Sequence, residues 1–67
     1  MKTIKVSAII EALKKDGWYL DKHDGTSHRQ FKHSTKKGKV TINGKLSDDR
    51  SGFLLKSIER QSGIKFQ

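Results

Sequence analysis

The chain has 67 residues and no cysteine, and its 15 lysines and arginines outnumber seven aspartates and glutamates to give a formal charge of +8. That length fits one small domain spanning residues 1–67, and without cysteine neither disulfides nor thiolate zinc sites can form. So basic a surface suits binding to a polyanion such as RNA. No apolar run approaches the roughly 20 residues of a membrane-spanning helix, and we therefore expect a soluble, cytoplasmic protein that contacts no membrane.

The first predicted element is a helix over residues 6–15. Its apolar residues recur at i, i+3, i+4 and i+7 and so form one stripe along an amphipathic helix: Val6, Ile9, Ile10 and Leu13. Lys14 and Lys15 occupy the last turn, and Gly17 is placed for a left-handed cap. These features predict that the helix ends just before Gly17.

Three short strands are predicted next, over residues 18–23, 28–33 and 38–42. Turn formers fill residues 24–27 ("DGTS") and residues 34–37 connect the second strand to the third, so each hairpin loop has four residues. Leu20 then lies opposite Phe31, and Phe31 lies opposite Val40. One face of the sheet thereby collects all the apolar strand residues: Trp18, Leu20, Phe31, Val40 and Ile42.

The polar residues 43–49 predict a loop, and a second helix is expected to begin near Asp49 or Ser51 and to run to about Gln61. Its buried stripe would be Leu54, Leu55 and Ile58. The Asp48-Asp49 pair suits capping of this helix, and the sequence Ser-Gly-Ile at 62–64 is typical of a helix stop. The predicted fold is therefore α+β in the order α-β-β-β-α, with both helices on one face of a three-stranded antiparallel sheet.

Strand alternation places a polar set on the uncovered face of this sheet: His28, Gln30, Lys32, Lys39 and Thr41. The predicted register sets Lys32 beside Lys39 and His28 beside His23. Two facing lysines repel unless an anion lies between them, which favours a phosphate site, although they also fit a merely solvated surface.

An exposed histidine on a basic face has one specific use with RNA. Imidazole exchanges protons near neutral pH, and a base that removes the proton of a 2′-OH starts attack on the adjacent phosphorus, while lysine stabilises the phosphoryl oxygens. His28 is the candidate base; His23 is either an acid for the leaving group or only a neighbour. An exposed histidine without catalytic function is the alternative. Because the three histidines are spaced five apart, which on strands alternates the sheet faces, they cannot converge on one metal ion, and no metal site is expected.

Three stretches resemble the HicA family, the small ribonuclease toxins of toxin–antitoxin pairs: "KKDGWYL", "GTSHRQFKH" and "GFLLKSIERQSGI". The resemblance covers nearly the whole chain. It implies a double-stranded-RNA-binding-domain-like fold of α-β-β-β-α order, cleavage of mRNA, and a catalytic role for the histidine of the glycine turn, which is His28. It also implies a HicB-like antitoxin that binds the toxin and masks this site.

Together these features predict a metal-independent endoribonuclease, an mRNA interferase that inhibits translation. His28 would be the general base, Lys32 and Lys39 would hold the phosphate, Gln30 would orient the backbone or a base, and Arg29 would add a contact to RNA. No cofactor is expected, and any oligomer would form mainly through the antitoxin. A non-catalytic RNA-binding module of the same fold, or a surface used chiefly for protein binding, remains an alternative.

Overall fold

A computed structural model describes residues 3–24 and 28–66, with the backbone alone at Asp24. In chain order its elements are β1 (Ile4–Lys5), α1 (Val6–Lys15), β2 (Trp18–Asp24), β3 (His28–His33), β4 (Val40–Ile42), β5 (Asp49–Arg50) and α2 (Gly52–Ser62). Strands β2, β3 and β4 form an antiparallel sheet in that order, and β1 pairs antiparallel with β5. The α+β class and the α-β-β-β-α layout are confirmed, with one short two-stranded ribbon added. The predicted hairpin turn over residues 24–27 lies outside the described residues, apart from the Asp24 backbone.

A single apolar core joins the two helices to one face of the sheet. The predicted stripe of α1 is buried along its whole length, and it packs with residues of β2, β3, β4 and α2: Val6, Ile9, Ile10, Leu13, Trp18, Phe31, Val40, Ile42, Leu55 and Ile58. The opposite face of the sheet is left open. No helix in the described part of the chain has the length and apolarity needed to cross a bilayer.

Helix α1 ends where the sequence predicts. Asp16 is its C-cap, and the backbone N–H of Gly17 donates to the Lys14 carbonyl at 3.1 Å. Gly17 has φ +104°, and a Cβ atom there would lie 2.7 Å from Nε2 of His33. Both the positive φ and the approach of the imidazole therefore require glycine at this position.

The strand register is partly as predicted. Leu20 pairs with Phe31, and Phe31 pairs with Val40, which confirms the expected alignment. Beyond Leu20 the register shifts by one residue, so that His23 pairs with Arg29 instead of His28. The predicted pairing of His23 with His28 is wrong because a β-bulge inserts one extra residue into β2 and moves the following side chains to the other face.

Two leucines predicted to be buried are exposed. Leu20 lies on the core-facing side of edge strand β2 but is 45% exposed, because the helices do not cover this part of the strand. Leu54 is 60% exposed. Helix α2 buries Leu55, Ile58 and Ser62, at i, i+3 and i+7. Leu54 precedes the first of these and therefore points about 100° away from the core.

The segment predicted as a plain loop, residues 43–49, supports the start of α1. The N–H groups of Val6 and Ser7 donate to the carbonyls of Asp48 (2.8 Å) and Leu46 (3.1 Å). The Asp48 carboxylate accepts from the backbone N–H of Lys45, and Asp49, in β5, lies 3.7 Å from the Lys5 ammonium. The expected capping of α2 by this aspartate pair is therefore wrong, because the N-cap of α2 is Ser51 and the two carboxylates contact Lys45 and Lys5 instead.

Candidate nucleic-acid interface

The uncovered side of the β2-β3-β4 sheet, called here the open face, carries the predicted polar residues of β3. Because paired residues share a face, the register defines its described members: Tyr19, Lys22, His28, Gln30, Lys32 and Thr41. Phe31, between Gln30 and Lys32, points the other way and is 1% exposed. The alternation thus sends the polar residues of β3 outward.

His28 is exposed at the first position of β3, where the chain enters the sheet. On the open face, its nearest described neighbours are Gln30, two residues along β3, and Lys22, which pairs with Gln30. Lys22 is therefore diagonal to His28, a relation that places Cα atoms about 7–8 Å apart. Sequence alternation missed Lys22, because only the bulge brings it onto this face.

Lys32 lies further along the open face. It is four residues from His28, which corresponds to about 13 Å along the strand. Its ammonium is 3.6 Å from the Asp21 carboxylate, an ion pair in which both side chains keep solvent contact. Tyr19, which pairs with Lys32, is 51% exposed and presents an aromatic ring at the same level of the sheet.

Lys39 and Arg29 lie off the open face of the paired strands. Strand β4 begins at Val40, so the exposed Lys39 precedes it, and the expected pair with Lys32 falls beyond the last paired residues. Arg29 pairs with the buried Ile42 on the helix side of the sheet. Its guanidinium donates to the Gly44 carbonyl at 2.8 Å and so fixes the chain that follows β4.

His33 has a structural role. Its Nδ1 accepts the backbone N–H groups of Thr35 and Lys36, each at 3.1 Å, which leaves Nε2–H to donate to the Asp16 carbonyl at 2.7 Å. The ring also meets Trp18 edge-on, with centroids 5.1 Å apart. His23 lies on the helix side of the sheet, as its pairing with Arg29 requires. Of the three histidines, His28 alone is on the open face.

A separate charged contact joins the far end of the sheet to both helices. The Lys36 ammonium donates to the Asp16 carboxylate at 2.5 Å and to the Ser62 carbonyl at 3.2 Å. This hydrogen bond from Lys36 lowers the pKa of the Asp16 carboxyl. Lys36 is thus held in a structural contact between α1 and α2.

Within residues 3–24 and 28–66, no three acidic or histidine side chains lie together as a potential metal site.

The fold and the open face define a small basic α+β domain in which one histidine, His28, is exposed on the uncovered face of the sheet. Residues 6–64 match the family described as the HicA toxin of bacterial toxin-antitoxin. The chain belongs to this family, as its sequence motifs predict, and is thereby the toxin of a toxin–antitoxin pair. A comparison with curated proteins gave no match.

Proposed function

We propose that this toxin is a metal-independent endoribonuclease that cleaves mRNA and so inhibits translation. The observation that supports the proposal most directly is the position of His28, which is exposed on the open face, whereas His33 is committed to structural hydrogen bonds. Family membership supports the toxin role, and the charge of +8 suits an RNA substrate.

In the proposed reaction, neutral His28 takes the proton of a ribose 2′-OH. The 2′-oxygen attacks the adjacent phosphorus, the bond from phosphorus to the 5′-oxygen breaks, and the products are a 2′,3′-cyclic phosphate and a 5′-hydroxyl. Because His23 is on the other side of the sheet, it is not the acid in this scheme. Water at the exposed site supplies the proton that the leaving 5′-oxygen needs.

Lysines on and beside the open face would bind the RNA backbone. Among the described cations of the open face, Lys22 lies nearest to His28 in the strand register and would stabilise charge on the scissile phosphate. Lys32 and Lys39 would hold phosphates of flanking nucleotides, and Gln30, between Lys22 and Thr41, would orient the backbone or a base. Arg29 would contribute less directly, by fixing the chain around Gly44 at the edge of the site.

Inducible expression in cells tests the assignment of His28. The variant His28→Ala should fold and no longer arrest growth or degrade mRNA, whereas the wild type should do both. His23→Ala is the matched control, because it removes another exposed imidazole from the other side of the same sheet and should remain toxic. Toxicity of His28→Ala at the wild-type level would contradict the assignment.

Cleavage of RNA by the purified protein tests the chemistry. A 2′-deoxy nucleotide at the cut site should block the reaction, a chelator should leave the rate unchanged, and the products should carry a cyclic phosphate end. If wild-type protein binds RNA in a salt-dependent way without cutting it, the chain is a binding module instead. A rate that falls with chelator would indicate a metal-dependent nuclease.

The partner proposed for this toxin is a HicB-like antitoxin, which would cover His28 and organise any larger assembly. Family membership implies such a partner.

A further inference from the structure

The first turn of α2 carries two large apolar side chains that the core does not use. Phe53 is 92% exposed and Leu54 is 60% exposed. Single exposed apolar residues are ordinary on a protein surface, but neighbouring ones beside a groove are typical of a binding site. A groove of this kind lies next to Leu54.

The groove has a volume of about 280 Å³ and lies between α2 and the edge of the sheet. Leu54 and the largely buried Ile58 form its apolar wall, and the other side is lined by Thr41 of β4, by Asn43 just after that strand, and by Arg50 of β5. A bulky apolar side chain inserted here would bury surface that is now in contact with water, which favours binding.

The edge of β4 along this groove is covered by side chains alone. Strand β4 is the last strand of its sheet, and the outward N–H of Thr41 donates to Oε1 of Gln61 at 3.2 Å. Arg50 donates to the carbonyl of Asn43. Because both partners are side chains, an incoming extended segment can replace them and pair with the strand edge.

The charge at the groove indicates an acidic occupant. Within the described part of the chain, the hydrogen bonds of Arg50 go to main-chain carbonyls, those of Asn43 and Asp49, and none of the ion pairs there includes it. A carboxylate of the occupant would therefore find an available guanidinium. A second copy of this chain suits the groove less well, because both partners would carry a charge of +8 and the same arginine.

The groove is also close to the proposed catalytic end of the sheet. Arg29 pairs with Ile42, so the next residue of the chain, Asn43, comes level with His28 if the same register continues. Adjacent strands are about 4.8 Å apart. A protein anchored at the β4 edge is thus one strand away from His28 and can reach around that edge to the open face.

We propose that this groove, with Phe53 and Leu54 beside it, is the docking site for the antitoxin. The occupant is an extended protein segment with bulky apolar side chains and a carboxylate, which pairs along the β4 edge and brings the rest of the antitoxin over His28. The inference rests on the proposed function only in taking the antitoxin as partner, and it does not depend on how RNA is cut.

Escape from neutralisation tests the docking site. The double variant Phe53→Ser/Leu54→Ser should still arrest growth when expressed alone, because neither residue is part of the proposed catalytic site. Its affinity for the antitoxin should fall at least about tenfold, and coexpressed antitoxin should no longer restore growth. Leu20→Ser is the matched control: it also removes an exposed leucine, but from the opposite edge of the sheet, and the antitoxin should still neutralise it.

A second measurement does not depend on the folding of the double variant or on toxicity. In amide NMR spectra of the His28→Ala protein, added antitoxin should shift or protect the amides of Thr41, Asn43 and residues 54–61. If wild-type protein is not toxic, the proposed function fails while this test of docking still applies.

Several results would overturn the docking proposal. One is neutralisation of the double variant with wild-type affinity, and another is a set of amide changes that leaves the groove untouched. If the double variant loses toxicity but binds the antitoxin as the wild type does, the groove is assigned to RNA. If the wild type is a dimer and the double variant is a monomer with unchanged antitoxin binding, the groove is assigned to self-association.

Discussion

At the scale of single residues, the three histidines have three different environments. His28 is exposed on the open face, His23 is exposed on the helix side, and His33 is held at both ring nitrogens, because Nδ1 accepts backbone N–H groups and Nε2–H donates to a carbonyl. Sequence predicts that His28 and His33 point to opposite faces, since they are five residues apart on one strand. It does not predict the hydrogen bonds of His33, because Asp16 is 17 residues away and reaches the ring only through the sheet.

Removing the His33 ring should destabilise the protein without changing its chemistry. His33→Ala leaves the N–H groups of Thr35 and Lys36 and the carbonyl of Asp16 without this partner. We expect a loss of about 1–3 kcal/mol in the free energy of unfolding, measured by urea denaturation. Cleavage per folded molecule should equal that of the wild type. Unchanged stability together with lost cleavage would instead make His33 a catalytic residue.

At the scale of elements, the bulge in β2 determines which lysine lies near His28. Alternation without a bulge places Lys22 among the apolar residues, so the sequence-based site lacks it. The observed shift between Leu20 and Lys22 brings Lys22 opposite Gln30 on the open face. The bulge shifts the register by one residue, and no local feature of the sequence indicates it. The pairing of β2 with β3 is therefore predictable up to Leu20 and not beyond it.

The bulge leads to different effects for two lysine variants. Lys22→Ala should lower kcat roughly tenfold or more, because Lys22 is diagonal to His28 and would act on the scissile phosphate. Lys32→Ala should mainly raise KM, because Lys32 is about 13 Å further along the strand. Steady-state kinetics separates the two, and Lys56→Ala, on the exposed side of α2, is the control for loss of one charge. A larger fall in kcat for Lys32→Ala would reverse the assignment.

The contact between Asp16 and Lys36 predicts a specific effect of pH on stability. The hydrogen bond from Lys36 lowers the pKa of Asp16 in the folded state, so the stabilisation is present above the unfolded-state pKa and is lost as the pH falls through the folded-state value. Asp16→Asn and Lys36→Met should both reduce the loss of stability between about pH 4 and pH 2. Urea denaturation at several pH values across this range measures the free energy of unfolding and hence this loss. An acid dependence equal to that of the wild type in both variants would rule out the contribution.

Helix α2 and the short ribbon show the limits of prediction from periodicity. Three apolar residues at 54, 55 and 58 are compatible with more than one buried stripe, and only packing against β4 selects Leu55, Ile58 and Ser62. Strands β1 and β5 have two residues each and pair Ile4 with Arg50 across most of the chain. Elements so short have no periodicity of their own. In contrast, α1 is predictable because four apolar residues share one face.

At the scale of the whole molecule, the charge of +8 should make RNA binding strongly dependent on salt. If Lys22, Lys32 and Lys39 each neutralise one phosphate of single-stranded RNA, the logarithm of the binding constant should fall with log salt with a slope of about −2. Each lysine replaced by alanine should reduce the slope by about 0.7. Fluorescence anisotropy on the non-cleaving His28→Ala protein gives these values. A slope near zero would exclude phosphate binding as the main contribution.

The most direct test of the catalytic assignment is the single-turnover rate at which purified wild-type and His28→Ala proteins cleave the same RNA, with chelator present and with folding verified. The proposed mechanism predicts 2′,3′-cyclic phosphate ends from the wild type and a rate at least about 100-fold lower from a fully folded variant. A folded His28→Ala protein that cuts RNA as fast as the wild type would show that this imidazole is not the base.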